Sequence, residues 1–88
     1  MMIELTRIEP AGDRALKLTF SDGAHGRWTA DAEIARDTVL TRPLADPAYF
    51  ARAFIEAGAL AWPNGLEFAA HSLHAAMEDA GVLVRRAA

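Results

Sequence analysis

His71 and His74 are the residues whose spacing first admits chemistry. Three positions apart on a helix, both imidazoles can reach one ligand, and neutral imidazole binds zinc well. A metal needs a further donor. Glu78 stands one turn beyond His74, and His25 lies elsewhere in the chain. No HExxH-type or Cys/His pattern joins them. The pair therefore reads as two solvent-exposed histidines on a polar helix face. Nucleophilic chemistry has less to work with. Ser21 adjoins a turn, Ser72 falls inside a helix, and neither lies in a G-x-S-x-G elbow. No glycine spacing matches a P-loop or a dinucleotide fingerprint. Glu78 and Asp79 adjoin in sequence and so turn to different faces of a helix. Asp22 precedes Gly23, where turn chemistry accounts for it.

Aromatic side chains are better candidates for recognition. Trp28 falls on an apolar strand face and belongs in a core. Tyr49 and Phe50 adjoin on a short helix, where one ring can be buried and the other exposed. The stretch "AWPNGLEF", Ala61 to Phe68, poses the sharper question. An exposed Trp62 would be an interface anchor, with Asn64 presenting its amide and Tyr49 and Arg27 as further contacts. A buried Trp62 would instead close a strand. Pro63 would stop the strand and Asn64-Gly65 would turn the chain toward a helix. The corner reading places Pro63 and Gly65, like Asp22 and Gly23, among the structural turn residues.

The elements must position these groups within 88 residues, read as a single small domain over 1–88. Hydrophobic residues make up 52% of the chain, but twenty are alanine, which buries little area. The core is therefore modest, and pairing with a partner or a second copy would support it. There is no cysteine, which excludes a disulfide framework. The net charge of −3 argues against a nucleic-acid binder. Its eight arginines against one lysine read as codon usage rather than as a basic patch. The charged N-terminal stretch "MMIELTRIEP" lacks a signal-peptide core, and no apolar run is long enough to span a bilayer. A cytoplasmic location is the expectation, with no membrane contact.

Ile3 to Glu9 reads as a strand ending at Pro10, and Ala15 to Phe20 as a half-buried strand by its alternation. Asp22-Gly23 suits a two-residue type I′ turn. Ala24 to Ala30 alternates again, with Ala24, Gly26, Trp28 and Ala30 on one face. Asp31 is placed to cap a helical turn through Ala35, and Asp37 to Leu44 reads as irregular. Asp46-Pro47 starts a short helix to Arg52. Phe54 to Ala57 and Ala59 to Trp62 read as strands around Gly58. A final amphipathic helix carries Ala69, Leu73, Ala76, Met77 and Ala80 on one stripe, with His71, His74 and Glu78 facing away. Gly81 stops it. Val82 to Val84 form a last strand or a docking tail, and Arg85 to Ala88 fray. The class is α+β: a mainly antiparallel sheet of about five short strands with a C-terminal amphipathic helix and one short helix.

The segments "LKLTFSDGAHGRW", "LTRPLADPAYFARAFIEAGALAWPNGLEF" and "HSLH" resemble the family called domain of unknown function 2442. The resemblance covers roughly Ile3 to Met77. It rests on a strand ending in Phe before Asp-Gly, on Leu44, Asp46 and Phe50, on Trp62 to Gly65, on Glu67-Phe68 and on Leu73. Members often have Asp at Glu67, Pro at Ala70 and Tyr at His74, and the last departure counts against an inherited metal ligand at His74. The resemblance implies a small α+β fold and no established activity or cofactor. The resemblance also implies a toxin–antitoxin-like or regulatory setting, since some relatives carry an added helix-turn-helix domain and many are encoded beside another small protein. The expectation is a non-enzymatic interaction or regulatory module of an antitoxin-like kind, with a small partner encoded nearby and a homodimer compatible with it. The alternative is a small-molecule or metal-binding domain using the sheet face near His25 and Arg27 or the His71/His74 pair.

Overall fold

The computed structural model describes residues 2–85. In chain order these form β1 (Leu5–Gly12), β2 (Ala15–Phe20), β3 (His25–Thr29), α1 (Asp31–Ala35), a 3-10 turn (Arg42–Ala45) and α2 (Pro47–Phe50). Then follow β4 (Phe54–Glu56), β5 (Ala59–Ala61), β6 (Glu67–Phe68), α3 (Ala70–Asp79) and β7 (Leu83–Val84). The class is α+β, as the alternation and the final helical stripe require. The strands divide between two antiparallel sheets, ordered β1-β2-β3-β7 and β4-β5-β6. Sequence reading merged these into one sheet, because period-two alternation marks strands without naming their neighbours. The N–H of Leu5 links the two sheets by donating to the Gly58 carbonyl at 2.8 Å.

In β2, Leu16, Leu18 and Phe20 are buried and Lys17 is exposed. In β3, Gly26 and Trp28 turn inward beside Ala24 and Ala30. The core joins this face to Leu44, Phe50, Leu60, Trp62, Leu73 and Met77. Its centre is aromatic. Trp28, Phe50, Trp62 and Phe68 make ring contacts with centroids 5.7–6.4 Å apart, within the range where offset and edge contacts are favourable.

Several local expectations change. Strand β1 does not stop at Pro10 but runs to Gly12, because an edge strand tolerates a proline. Asp22 is not in the left-handed region, so Asp22-Gly23 is not a type I′ turn. That turn falls instead at Ala57 (φ 50°) and Gly58 (φ 81°), between the paired Glu56 and Ala59. Asp31 does not cap α1: Ala30 holds the cap position, and no side chain bonds there. Asp46 does cap α2, its carboxylate accepting from the Ala48 N–H at 3.0 Å, with Pro47 at the first helical position. α2 ends at Phe50 rather than Arg52.

On α3 only Ala70, Leu73 and Met77 are buried, and Ala69, Ala76 and Ala80 are exposed. Gly81, at φ 73°, ends the helix: its N–H donates to Glu78 and the Val82 N–H to Met77. That is the double-bonded glycine cap which satisfies a helix's last carbonyls. The expected fraying of Arg85 to Ala88 divides. Arg85 is held by ion pairs to Glu78 and Asp22, and residues 86–88 lie outside the described residues.

Candidate functional site

Two corners hold Asp22 and Asn64, and they are wired alike. In Phe20-Ser21-Asp22-Gly23-Ala24, the Phe20 N–H donates to the Ala24 carbonyl (2.8 Å) and the Gly23 N–H to the Phe20 carbonyl (2.9 Å). The Ala24 N–H donates to Asp22 Oδ1 (3.0 Å). In Trp62-Pro63-Asn64-Gly65-Leu66, the Trp62 N–H donates to Leu66 (2.9 Å) and the Gly65 N–H to Trp62 (3.1 Å). The Leu66 N–H donates to Asn64 Oδ1 (3.0 Å). Each is a three-residue hairpin loop ending in a left-handed glycine, Gly23 at φ 87° and Gly65 at φ 93°. Pro63 occupies a loop position whose N–H the wiring does not use, which is why proline fits there.

His74 does not face away from the core. Its side chain is 12% exposed, its ring meets Phe20 edge-on at 5.0 Å, and Nε2 lies 2.9 Å from Asp22 Oδ2. Bonded this way, Nε2 donates to the carboxylate, the role its partner assigns it. The contact ties α3 to the β2–β3 corner. His71 is exposed and takes no part. Among the described residues, no three His, Asp or Glu side chains come together as a metal cluster.

Asp22 is held below the ordinary aspartate range, first by the Ala24 N–H, against an opposing effect of burial, and then by His74 and Arg85. A carboxylate depressed in the folded state stabilises the fold above its unfolded value, about pH 4. That contribution disappears as pH falls through the lower folded value. Urea unfolding below pH 4 should therefore show wild type losing stability more steeply than Asp22→Asn. Parallel pH profiles would refute this.

Each expected contact residue has an internal assignment. Trp62 is 1% exposed, and its indole N–H donates to the Phe50 carbonyl at 3.1 Å, satisfying an end of α2. It is therefore not an interface anchor. Its neighbour Asn64 donates through Nδ2 to the Leu40 carbonyl (3.2 Å), so its amide is spoken for. The Tyr49 hydroxyl accepts from the Asn64 N–H (3.1 Å), and Arg52 lies over the Tyr49 ring. Arg27 is exposed, as is Asn64, and its Nε donates to the Ala11 carbonyl (3.2 Å). His25 lies on the same sheet face, half-buried, with Val84 opposite it in register.

The surface feature that sequence reading missed begins at Arg27. A groove of 430 Å³ opens between α1 and α3, with Trp28 and Met77 at its base and Ala32, Ala76, Ala80 and Val82 along its sides. Its apolar character and size are those of a binding cleft. Strand β3 forms one wall. β7 pairs with β3 only at His25 and Gly26, Val82 lies next in line beside Arg27, and no strand lies beside Thr29 on that side among the described residues.

The alanine spacing on α3 did carry a signal for this groove. Ala76 and Ala80 were read as core because small apolar residues serve equally in a core or along an open cleft. Comparison with family models, curated proteins and solved structures gives no match. The resemblance to domain of unknown function 2442 stands on its motifs alone.

Proposed function

We propose that this chain is a non-enzymatic protein-interaction or regulatory module whose partner occupies the groove between α1 and α3. The observation that carries the reading is the groove itself: open apolar surface over Trp28 and Met77, beside the unpaired end of β3 at Thr29. The polar groups best placed for chemistry, Asp22, His74, Asn64 and Tyr49, are engaged with one another or with backbone. An antitoxin-like role beside a small protein encoded nearby fits this reading and the resemblance, as does residence in the cytosol. No helix among the described residues is long and apolar enough to cross a membrane.

The test is co-expression with the small protein encoded by the adjoining gene, followed by size-exclusion chromatography. A stable complex is expected, weakened at least tenfold by Ala76→Arg, which projects a charged side chain from an exposed helix position into the groove. Elution of wild type as a lone species, or a complex indifferent to Ala76→Arg, would overturn the assignment.

A further inference from the structure

The backbone at the groove narrows the kind of partner. Pairing between β2 and β3 follows one register, from Thr19 opposite His25 to Ala15 opposite Thr29. The Phe20 N–H bonds to Ala24 at one end and the Ala30 N–H to Arg14 at the other. In an antiparallel ladder such bonded pairs alternate. Ala24, Gly26, Trp28 and Ala30 therefore turn their N–H and C=O groups toward β2, and His25, Arg27 and Thr29 turn theirs outward. His25 has Val84 opposite it. Val82, next in line beside Arg27, gives its N–H to Met77 instead. Thr29 has no strand opposite it on that side, and its outward N–H and C=O have no hydrogen-bond partner among the described residues.

Native sheets protect such edges, and this molecule does so elsewhere. β1, the opposite edge of the same sheet, carries Pro10 and two breaks in register. The end of β3 carries neither a proline nor a break. It has an apolar groove against it, lined by Trp28, Thr29 and Met77. The chain's own C-terminal strand does not fill the place, because β7 runs from Leu83 beside Gly26 to Val84 beside His25, away from Thr29.

We infer that the groove takes an extended polypeptide segment of the partner, added as a strand against β3 at Thr29. This rests on the protein-interaction reading above and specifies its mode. Backbone hydrogen bonds to Thr29 supply the pairing. One apolar side chain of the added strand, on the inward face shared with Trp28, enters the groove between Ala32 and Ala76. Alternating pockets and main-chain bonds are how strand addition combines affinity with selectivity.

The probe is a random heptapeptide library displayed on phage and selected against the intact protein, with selected sequences then made as synthetic peptides. Selected peptides are expected to bind wild type, to lose at least tenfold in affinity for Ala76→Arg, and to slow amide hydrogen exchange at Thr29. Methylation of a single backbone nitrogen in the peptide, at alternate positions, should abolish binding while leaving its side chains unchanged. Binding in the groove that tolerates every N-methylation, with Thr29 exchange unaltered, overturns strand addition and leaves the interaction reading standing. Failure to select any peptide that senses Ala76→Arg, together with failure of the co-expression test, overturns both. Self-association of wild type that protects Thr29 without peptide would identify a second copy as the occupant and overturn the assignment to a partner.

Discussion

Trp62→Ala should cost about 3–5 kcal/mol of folding stability, the usual range for truncating a buried large aromatic. Small domains have only of order 5–15 kcal/mol in total, so the variant should be largely unfolded at modest urea concentration. The indole fills the middle of the aromatic core, in contact with Trp28, Phe50 and Phe68. Its N–H also satisfies the Phe50 carbonyl. Trp62→Phe separates the two contributions: it keeps a ring and removes one of the two donors to that carbonyl, the Ala53 N–H remaining, for a hydrogen-bond loss of about 0.5–1.5 kcal/mol. Urea denaturation followed by far-UV circular dichroism measures both. A folded Trp62→Ala protein of near wild-type stability would contradict the burial described here.

Gly26→Ala should release the C-terminal strand. Gly26 lies where β3 meets β7 and α3, and a Cβ built there runs into the Val82 carbonyl and comes within 3.0 Å of the Met77 methyl group. Met77 is a flexible side chain and can move. Val82 is backbone, held by the glycine cap of α3, and cannot shift without disturbing that cap. Overpacking of this kind costs about 1–3 kcal/mol. The loss should be concentrated at β7, so amide exchange at Leu83 and Val84 should accelerate far more than at Leu18. Uniform acceleration through both sheets would show instead that the cost is global.

Local chemistry was legible in the sequence wherever one residue type has one physical use. Asp46 with Pro47 announced the capped start of α2, and Gly81 announced the end of α3. The alternation Leu16, Leu18, Phe20 announced a sheet face. Legibility failed where a group's partner is remote in sequence. His74 looked solvent-facing because helix periodicity describes α3 alone, while the side chain is positioned by Asp22, 52 residues away. Trp62 was ambiguous for the same reason: its hydrogen-bond acceptor is on α2. The alanines of α3 signalled an apolar face but not that it stays open, because the groove is made by three elements together and by the place where β7 stops pairing. Asp22-Gly23 misled differently. The dipeptide suits several turn types, and the choice among them depends on which residues of the flanking strands pair.

The two like-wired corners also explain a choice of side chain that turn preference leaves open. Asp and Asn serve equally in such loops, since each needs only Oδ1 to accept from the residue two positions on. The other terminal atom is then free to act as a tether, and its chemistry must suit what it reaches. At the first corner it reaches a histidine ring nitrogen, a donor, and the residue is Asp22, whose second oxygen accepts. At the second it reaches the Leu40 carbonyl, an acceptor, and the residue is Asn64, whose nitrogen donates. The acid in one loop and the amide in the other are thus the complements of two distant partners: exchanging them would keep both turns, set a carboxylate against the Leu40 carbonyl, and hold His74 only through its other tautomer.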